Sequence, residues 1–214
     1  MFRNLIILGP GLALTLALAS GAASSGEPIT MKPTAMPPPS ALIKLVSSRQ
    51  VSVTHQDLEI EVSYAAFTRN FEAILGRFDP TVSATLASDP AAAQARIRQM
   101  EGEQGLMIFA VQNHGALFAL AGAQRHAKRY HVGNPGIAFQ MTRHDIRAGL
   151  YAPLSVLVYE AKPGAVRVEF DQPSTLFGQF GDADVLAVAR ALDGKLEKVI
   201  EHAAMLAVSQ QPGQ

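Results

Sequence analysis

Four of the six histidines, His114, His126, His131 and His144, lie within 31 positions of one another; Tyr130 and Tyr151 accompany them, and Asp145 follows His144 directly. Imidazole, phenol and carboxyl groups in one region are the material of acid–base chemistry near neutral pH. Neutral imidazole also ligates zinc, copper and haem iron. His126 and His131, however, are five apart across an expected turn into a strand, and no His-Glu-x-x-His or comparable ligand spacing occurs. No metal and no cofactor is therefore expected. There is no cysteine, which removes thiolate nucleophiles, thiolate metal sites and disulfides together. Ser155, Ser174 and Thr142 offer hydroxyls without a Gly-x-Ser-x-Gly elbow, so covalent catalysis has no signature and no catalytic residue is assigned.

Short polar motifs carry the remaining candidates. Asn113-His114-Gly115 leaves an apolar run, a place where sheet ends present functional side chains or where Asn makes a hydrogen-bonded turn. Gly133-Asn134-Pro135-Gly136 opens a helix whose free N–H groups and positive dipole end suit a carboxylate or phosphate, although Asn caps such an end by itself and Pro has no N–H. The motif lacks the P-loop lysine and the dinucleotide glycine pattern, which excludes nucleotide hydrolysis. On the following helix Gln140 and His144, like Met141 and Asp145, are four apart and sit one above the other. The candidate ligand-binding set is His114, Tyr130, Asn134, His144 and Tyr151 around one cleft. The expected function is a non-enzymatic module for a small molecule or protein. The alternatives are an acid–base hydrolase or isomerase using His114 or His144, and metal or haem binding through histidines.

These residues need a scaffold. Residues 58–64 alternate apolar and polar side chains with the period of a strand, and Phe67, Phe71, Ile74, Leu75 and Phe78 follow at helical spacing up to Asp79-Pro80. Asp89-Pro90 starts a second helix that runs to about Met100. Residues 106–111 form a continuous apolar run, read as a strand covered on both faces, and residues 116–121 a short apolar helical segment. A strand over 128–132 leads to the Asn134-Pro135 helix, expected to end near Gly149. Residues 154–160 and 166–170 flank Pro163-Gly164, which suits a type II turn and makes a hairpin. After Asp182 the apolar positions Val185, Val188, Leu192, Leu196, Val199 and Ala203 step by three and four along a long helix. This order gives an α+β fold, a mostly antiparallel sheet with helices on one face.

With 214 residues, one medium domain plus processing segments is expected. Arg3, the apolar stretch over 5–19 and small residues before position 23 read as an export signal over residues 1–23. The mature chain is then periplasmic or secreted. The alternative is a chain tethered to the membrane by an uncleaved segment, although Gly9-Pro10-Gly11 interrupts a stretch shorter than the roughly 20 residues a span needs. Pro28, Pro33, Pro37, Pro38 and Pro39 mark residues 24–41 as a flexible tether, followed by a single domain over 42–206 and a disordered tail over 207–214. Removing residues 1–23 takes away only Arg3 among the charges and leaves 17 Lys and Arg against 18 Asp and Glu, a net charge of −1. Such a balance excludes nucleic acid as a partner, and membrane contact is expected only through the signal segment before cleavage.

Over residues 64–202 the chain resembles the domain of unknown function 302 family, in its longer bacterial branch. The residues that carry the likeness are His114-Gly115, Lys128-x-Tyr130-x-x-Gly133-Asn134-Pro135, Met141-Thr142-x-His144-Asp145, Leu150-Tyr151-Ala152-Pro153-Leu154, Val158-Tyr159-Glu160 and Phe170-Asp171-x-Pro173-Ser174. The resemblance implies a curved antiparallel sheet with two main helices, similar to the TATA-box-binding-protein arrangement, and a homodimer. It implies no established activity. The family pattern usually has Asp at the position of Asn113 and Tyr at that of Phe170. Without that carboxylate an imidazole at His114 has nothing to orient and charge it, which weakens an acid–base role there.

Overall fold

The computed structural model describes residues 43–210. The chain divides after Ser48 into two units; residues 43–48 of the first have no regular structure, and the fold below is that of the second, from Arg49 onward. The expected signal segment and tether lie outside the described residues.

Ser63 fixes the first boundary. Its Oγ accepts from the Ala66 N–H at 3.2 Å, satisfying one of the donors a helix start leaves free. The strand expected over 58–64 is therefore earlier and shorter, with β1 at His55–Ile60 and α1 at Tyr64–Ile74. A two-residue β2, Gly76–Arg77, follows, and Asp79 then caps a short 3₁₀ turn, Pro80–Ala84. Helix α2, Pro90–Met100, starts where Asp89-Pro90 requires, with the Asp89 carboxylate accepting from Ala92 N at 2.9 Å. Strand β3 is Met107–Gln112. Its first residues are buried but Ala110, Val111 and Gln112 are exposed, so the expected double cover holds for half its length. A 3₁₀ segment, Gly115–Ala121, joins it to β4, Ala127–Gly133.

Helix α3, Pro135–Thr142, ends a full two turns before Gly149. The cause is Asp145, whose Oδ1 accepts from Arg147 N at 2.9 Å and opens a separate 3₁₀ turn, Ile146–Tyr151. Strands β5, Leu154–Lys162, and β6, Ala165–Asp171, form the expected hairpin, with Gly164 at φ 83° at the turn position that excludes most side chains. A short α4, Pro173–Gly178, precedes α5, Ala183–Ser209, capped by Asp182. Ala207 is fully buried on α5, so the last helix runs into the segment expected as a tail.

The fold is α+β. Six strands pair in the order β1-β6-β5-β4-β3-β2, antiparallel except for β2 with β3. Alternation divides the sheet into two faces. Val156, Val158, Val166, Val168, Tyr130 and Val132 turn to the main core, where Phe67 and Phe71 of α1 and the Val185, Leu192, Leu196 and Val199 stripe of α5 cover them. Phe78, Met107 and Ile97 belong to a smaller cluster near α2. The other face of β4, β5, β6 and β1 is polar and open, with Arg167 bonded to Asp57 and Glu59 across strands. None of the described helices is long and apolar enough to cross a membrane.

Candidate functional site

The five residues expected around one cleft do not form it. Tyr130 is sealed in the core with no exposed surface. Its hydroxyl donates to Glu72 Oε1 at 2.8 Å, the same oxygen that accepts from Lys128 Nζ at 2.8 Å, while Arg77 reaches the other oxygen at 3.3 Å. Burial and the adjacent carboxylate push the Tyr130 phenol well above its ordinary range. Glu72 moves the other way: burial opposes its ionisation, but the bonds from Lys128 and Tyr130 outweigh it and lower its pKa. Tyr130 thus closes a carboxylate-centred network between α1 and β4.

Asn134 is spent on architecture. Its Oδ1 accepts from Gly136 N at 2.7 Å and Ile137 N at 3.3 Å, and its Nδ2 donates to Glu101 Oε1 and Gly105 O, both at 2.7 Å. Both donors of the amide and both lone pairs of its oxygen are used, and the N–H groups that an anion would need are already capped. Tyr151 is a wall of the core, edge-on to Phe177 at 6.2 Å and tilted to Phe180 at 6.1 Å.

His144 lies beside the start of α5. Arg143 Nε donates to its Nε2 at 3.1 Å, which leaves the ring proton on Nδ1, 3.4 Å from Asp184 Oδ2. With Asp184 73% exposed, this is a surface pair rather than a closed catalytic dyad. Ligand atoms of His144, Asp182 and Asp184 come within 4.8 Å of one another, the one such group of metal-binding side chains among the described residues. A cation there would face the positive end of α5 and the Arg143 guanidinium, and Asp182 is already accepting from Asp184 N and Val185 N at 2.9 Å. The histidines named for a metal, His114, His126, His131 and His144, are not gathered into one group among the described residues.

His114 alone of the five opens onto a groove of about 810 Å³. Strand register explains its floor: Arg129, Leu157 and Glu169 stand side by side across β4, β5 and β6, and Ala127 and Tyr159 form the next row. Phe118, from the 3₁₀ segment after β3, and Arg125 complete its rim together with His126 and Glu160. The Glu169 carboxylate is committed, accepting from Tyr159 Oη at 2.6 Å and facing His55 Nε2 at 3.3 Å. Glu160 is 4.0 Å from His126, which itself stacks on Tyr64 at 5.3 Å. Burial pushes the Tyr64 phenol up to about 12. The two guanidiniums have no such partner. Arg129 donates to Ser155 Oγ at 2.7 and 3.2 Å, and among the described residues neither it nor Arg125 is paired with a carboxylate. Nor does any described carboxylate hold the His114 imidazole; Asn113 uses its side-chain oxygen to accept from Ala116 N at 3.1 Å.

Arg125, Arg129, Phe118 and Leu157 were not among the sequence-derived candidates. Their meeting depends on the β4–β5 register and on the path of the 3₁₀ segment, neither of which has a local signature. The one available signal was Arg129 beside Lys128 in a strand, where a charge on each face needs a use.

With this geometry in place, the comparisons with known proteins concern the same elements. The family model described as "Domain of unknown function DUF302" matches residues 82–203, from the 3₁₀ turn before α2 through most of α5. The chain belongs to the DUF302 family. The match includes β3 to β6 and the groove between them, and leaves β1 and α1 outside. A crystal structure of an uncharacterized conserved DUF302 protein from Bacillus stearothermophilus is similar in fold, with a TM-score of 0.50 and 13% identity, covering 70% of this chain and 97% of that one. No curated protein matches the chain.

Proposed function

We propose that this DUF302 chain is an exported, non-enzymatic binding domain that takes a small organic anion with an apolar part in the groove between His114 and Tyr159. The observation that carries this reading is the pair of guanidiniums without carboxylate partners among the described residues, Arg125 and Arg129, beside the apolar Phe118 and Leu157 in a groove of about 810 Å³. That volume lies in the range of small-molecule sites, which combine apolar walls with a few placed polar groups. An anion held by planar guanidinium forks gains directional, charge-assisted bonds. His114 supplies a further donor at the rim.

An acid–base enzyme would need a histidine oriented by a carboxylate inside a water-excluding site. His114 lacks the carboxylate and His144 lacks the enclosure, so binding is the better reading of both. Export rests on the charge, apolar stretch and small residues at the N-terminus, and N-terminal sequencing of the protein recovered from the expressing cell tests it.

Binding is tested by thermal-shift and calorimetric titration with octanoate, benzoate and inorganic phosphate. The expected result is saturable binding of an organic acid, tighter than phosphate, that is lost in an Arg125→Gln, Arg129→Gln double variant of unchanged melting temperature. Equal binding by that variant, or no binding of any of the three, overturns the proposal.

A further inference from the structure

The segment from Gln104 to His144 contains Arg125, Lys128, Arg129, Arg143 and four histidines but no aspartate or glutamate. Within it, the 3₁₀ segment Gly115–Ala121 carries three large apolar side chains into solvent: Leu117 is 58% exposed, Phe118 45% and Leu120 91%. A segment of this composition would ordinarily be buried. Here it is held outward by its own backbone. Leu117 N donates to His114 O at 3.2 Å, Gly122 N to Ala119 O and Ala123 N to Phe118 O at 3.1 Å, and Gly122 ends the turn at φ 65°. Gly115 anchors the base, since a Cβ there would stand 2.2 Å from Arg125 O and 2.7 Å from Ala127 N. The exposed side chains therefore stand on an ordered, anchored loop.

We propose that this loop docks on a bilayer containing anionic phospholipid, with Leu117, Phe118 and Leu120 entering the headgroup boundary and Arg125 meeting lipid phosphate. Charge decides the occupant. Arg125 follows the loop with no carboxylate partner among the described residues, while the nearby Glu72 and Glu169 are engaged, Glu72 with Lys128 at 2.8 Å and Glu169 with Tyr159 and His55; Glu160 stands 4.0 Å from His126. Apolar side chains flanked by cations match an anionic interface, where burial and electrostatic attraction add. A second set of exposed apolar residues, Phe139, Ile146 and Leu150, lies around Arg143, Asp145 and Arg147, where the Asp145 carboxylate holds Arg147, and serves as the internal contrast. Docking does not depend on the groove holding an anion.

The chain contains no tryptophan, so one indole reports a single position. In the full chain, Phe118→Trp should show a blue-shifted emission and quenching by brominated lipid with phosphatidylglycerol vesicles, and neither with phosphatidylcholine alone. Phe139→Trp should show neither. In a pelleting assay Leu117→Ser with Leu120→Ser should weaken the partition to anionic vesicles at least about tenfold, and Arg125→Gln about fivefold, at unchanged melting temperature. The proposal is overturned by an indole at position 118 that stays unquenched while the protein pellets with anionic vesicles, or by pelleting insensitive to the double serine change. A lipid-independent dimer abolished by those serines would assign the loop to a second copy and also overturn it.

Discussion

Tyr130 and Glu72, 58 positions apart in the chain, share a 2.8 Å hydrogen bond that ties the centre of the sheet to α1. The same carboxylate holds Lys128 and Arg77, so one acidic group organises two strands and a helix. Tyr130→Phe removes a donor to a partly buried anion while keeping the ring and its edge-on contact with Phe71 at 5.2 Å. Equilibrium urea unfolding should show a loss of about 1 to 2 kcal/mol.

The pH dependence of this network has a definite sign. Glu72 has a folded pKa below its ordinary 4.5, so its contribution is present above that value and is lost as pH falls through the folded pKa. Urea midpoints measured between neutral pH and pH 3 should fall more steeply for the wild type than for Glu72→Gln, which starts less stable. Parallel curves would remove Glu72 from the acid response.

Asn134 separates capping from the rest of its role. Asp caps a helix as well as Asn does, yet Asn134→Asp would turn a carboxylate toward Glu101 Oε1 and Gly105 O, which now accept from the amide at 2.7 Å. Asn134→Ala is expected to cost about 2 kcal/mol through the lost cap and bonds, and Asn134→Asp more at neutral pH, with partial recovery on acidification. Thermal unfolding at pH 7 and pH 4 checks both.

Much of the fold was legible because its signals are local. Asp89-Pro90, Asn134-Pro135 and Asp182 each start a helix by bonding to N–H groups two or three residues on, and the α5 stripe repeats at helical spacing. Ser63 and Asp145 do the same, but inside patterns that read as a continuing strand and helix, which is why those two boundaries were misplaced. The candidate site was far less legible. Tyr130, Asn134 and Tyr151 are polar or aromatic residues working in the core, and what distinguishes them from ligand-binding groups is a partner distant in sequence. The apolar run over 116–121 looks buried by composition, and its exposure follows from the clamp between Gly115 and the Arg125–Ala127 backbone.

His114 and His144 should part company on mutation. His114→Ala is expected to weaken organic-anion binding severalfold with little change in melting temperature, whereas His144→Ala changes neither binding nor stability by more than about 0.5 kcal/mol, the scale of an exposed ion pair. Titration calorimetry and thermal unfolding of the two variants read this directly.

Two histidines on the open face of the sheet have pKa values moved in opposite directions. Bonds to Asp171 and Glu169, only partly offset by desolvation, raise the His55 pKa above 6.5, so its contribution holds below that pH and fades as pH rises through the folded value. Burial first and Arg129 second lower His131 below 6.5, so it costs stability as pH falls past that value. Proton NMR of the imidazole resonances should order the two midpoints with His55 higher.

The pairing of β1 with β6 bears on how the chain comes together. His55 finds Asp171 across 116 positions, so the first strand of the domain has no place in the sheet until the last strand, β6, exists. Long-range closure of this kind is slow compared with helix or hairpin formation. A chain emerging from the ribosome therefore keeps its leading strand without a partner in the sheet until the β5–β6 hairpin is complete.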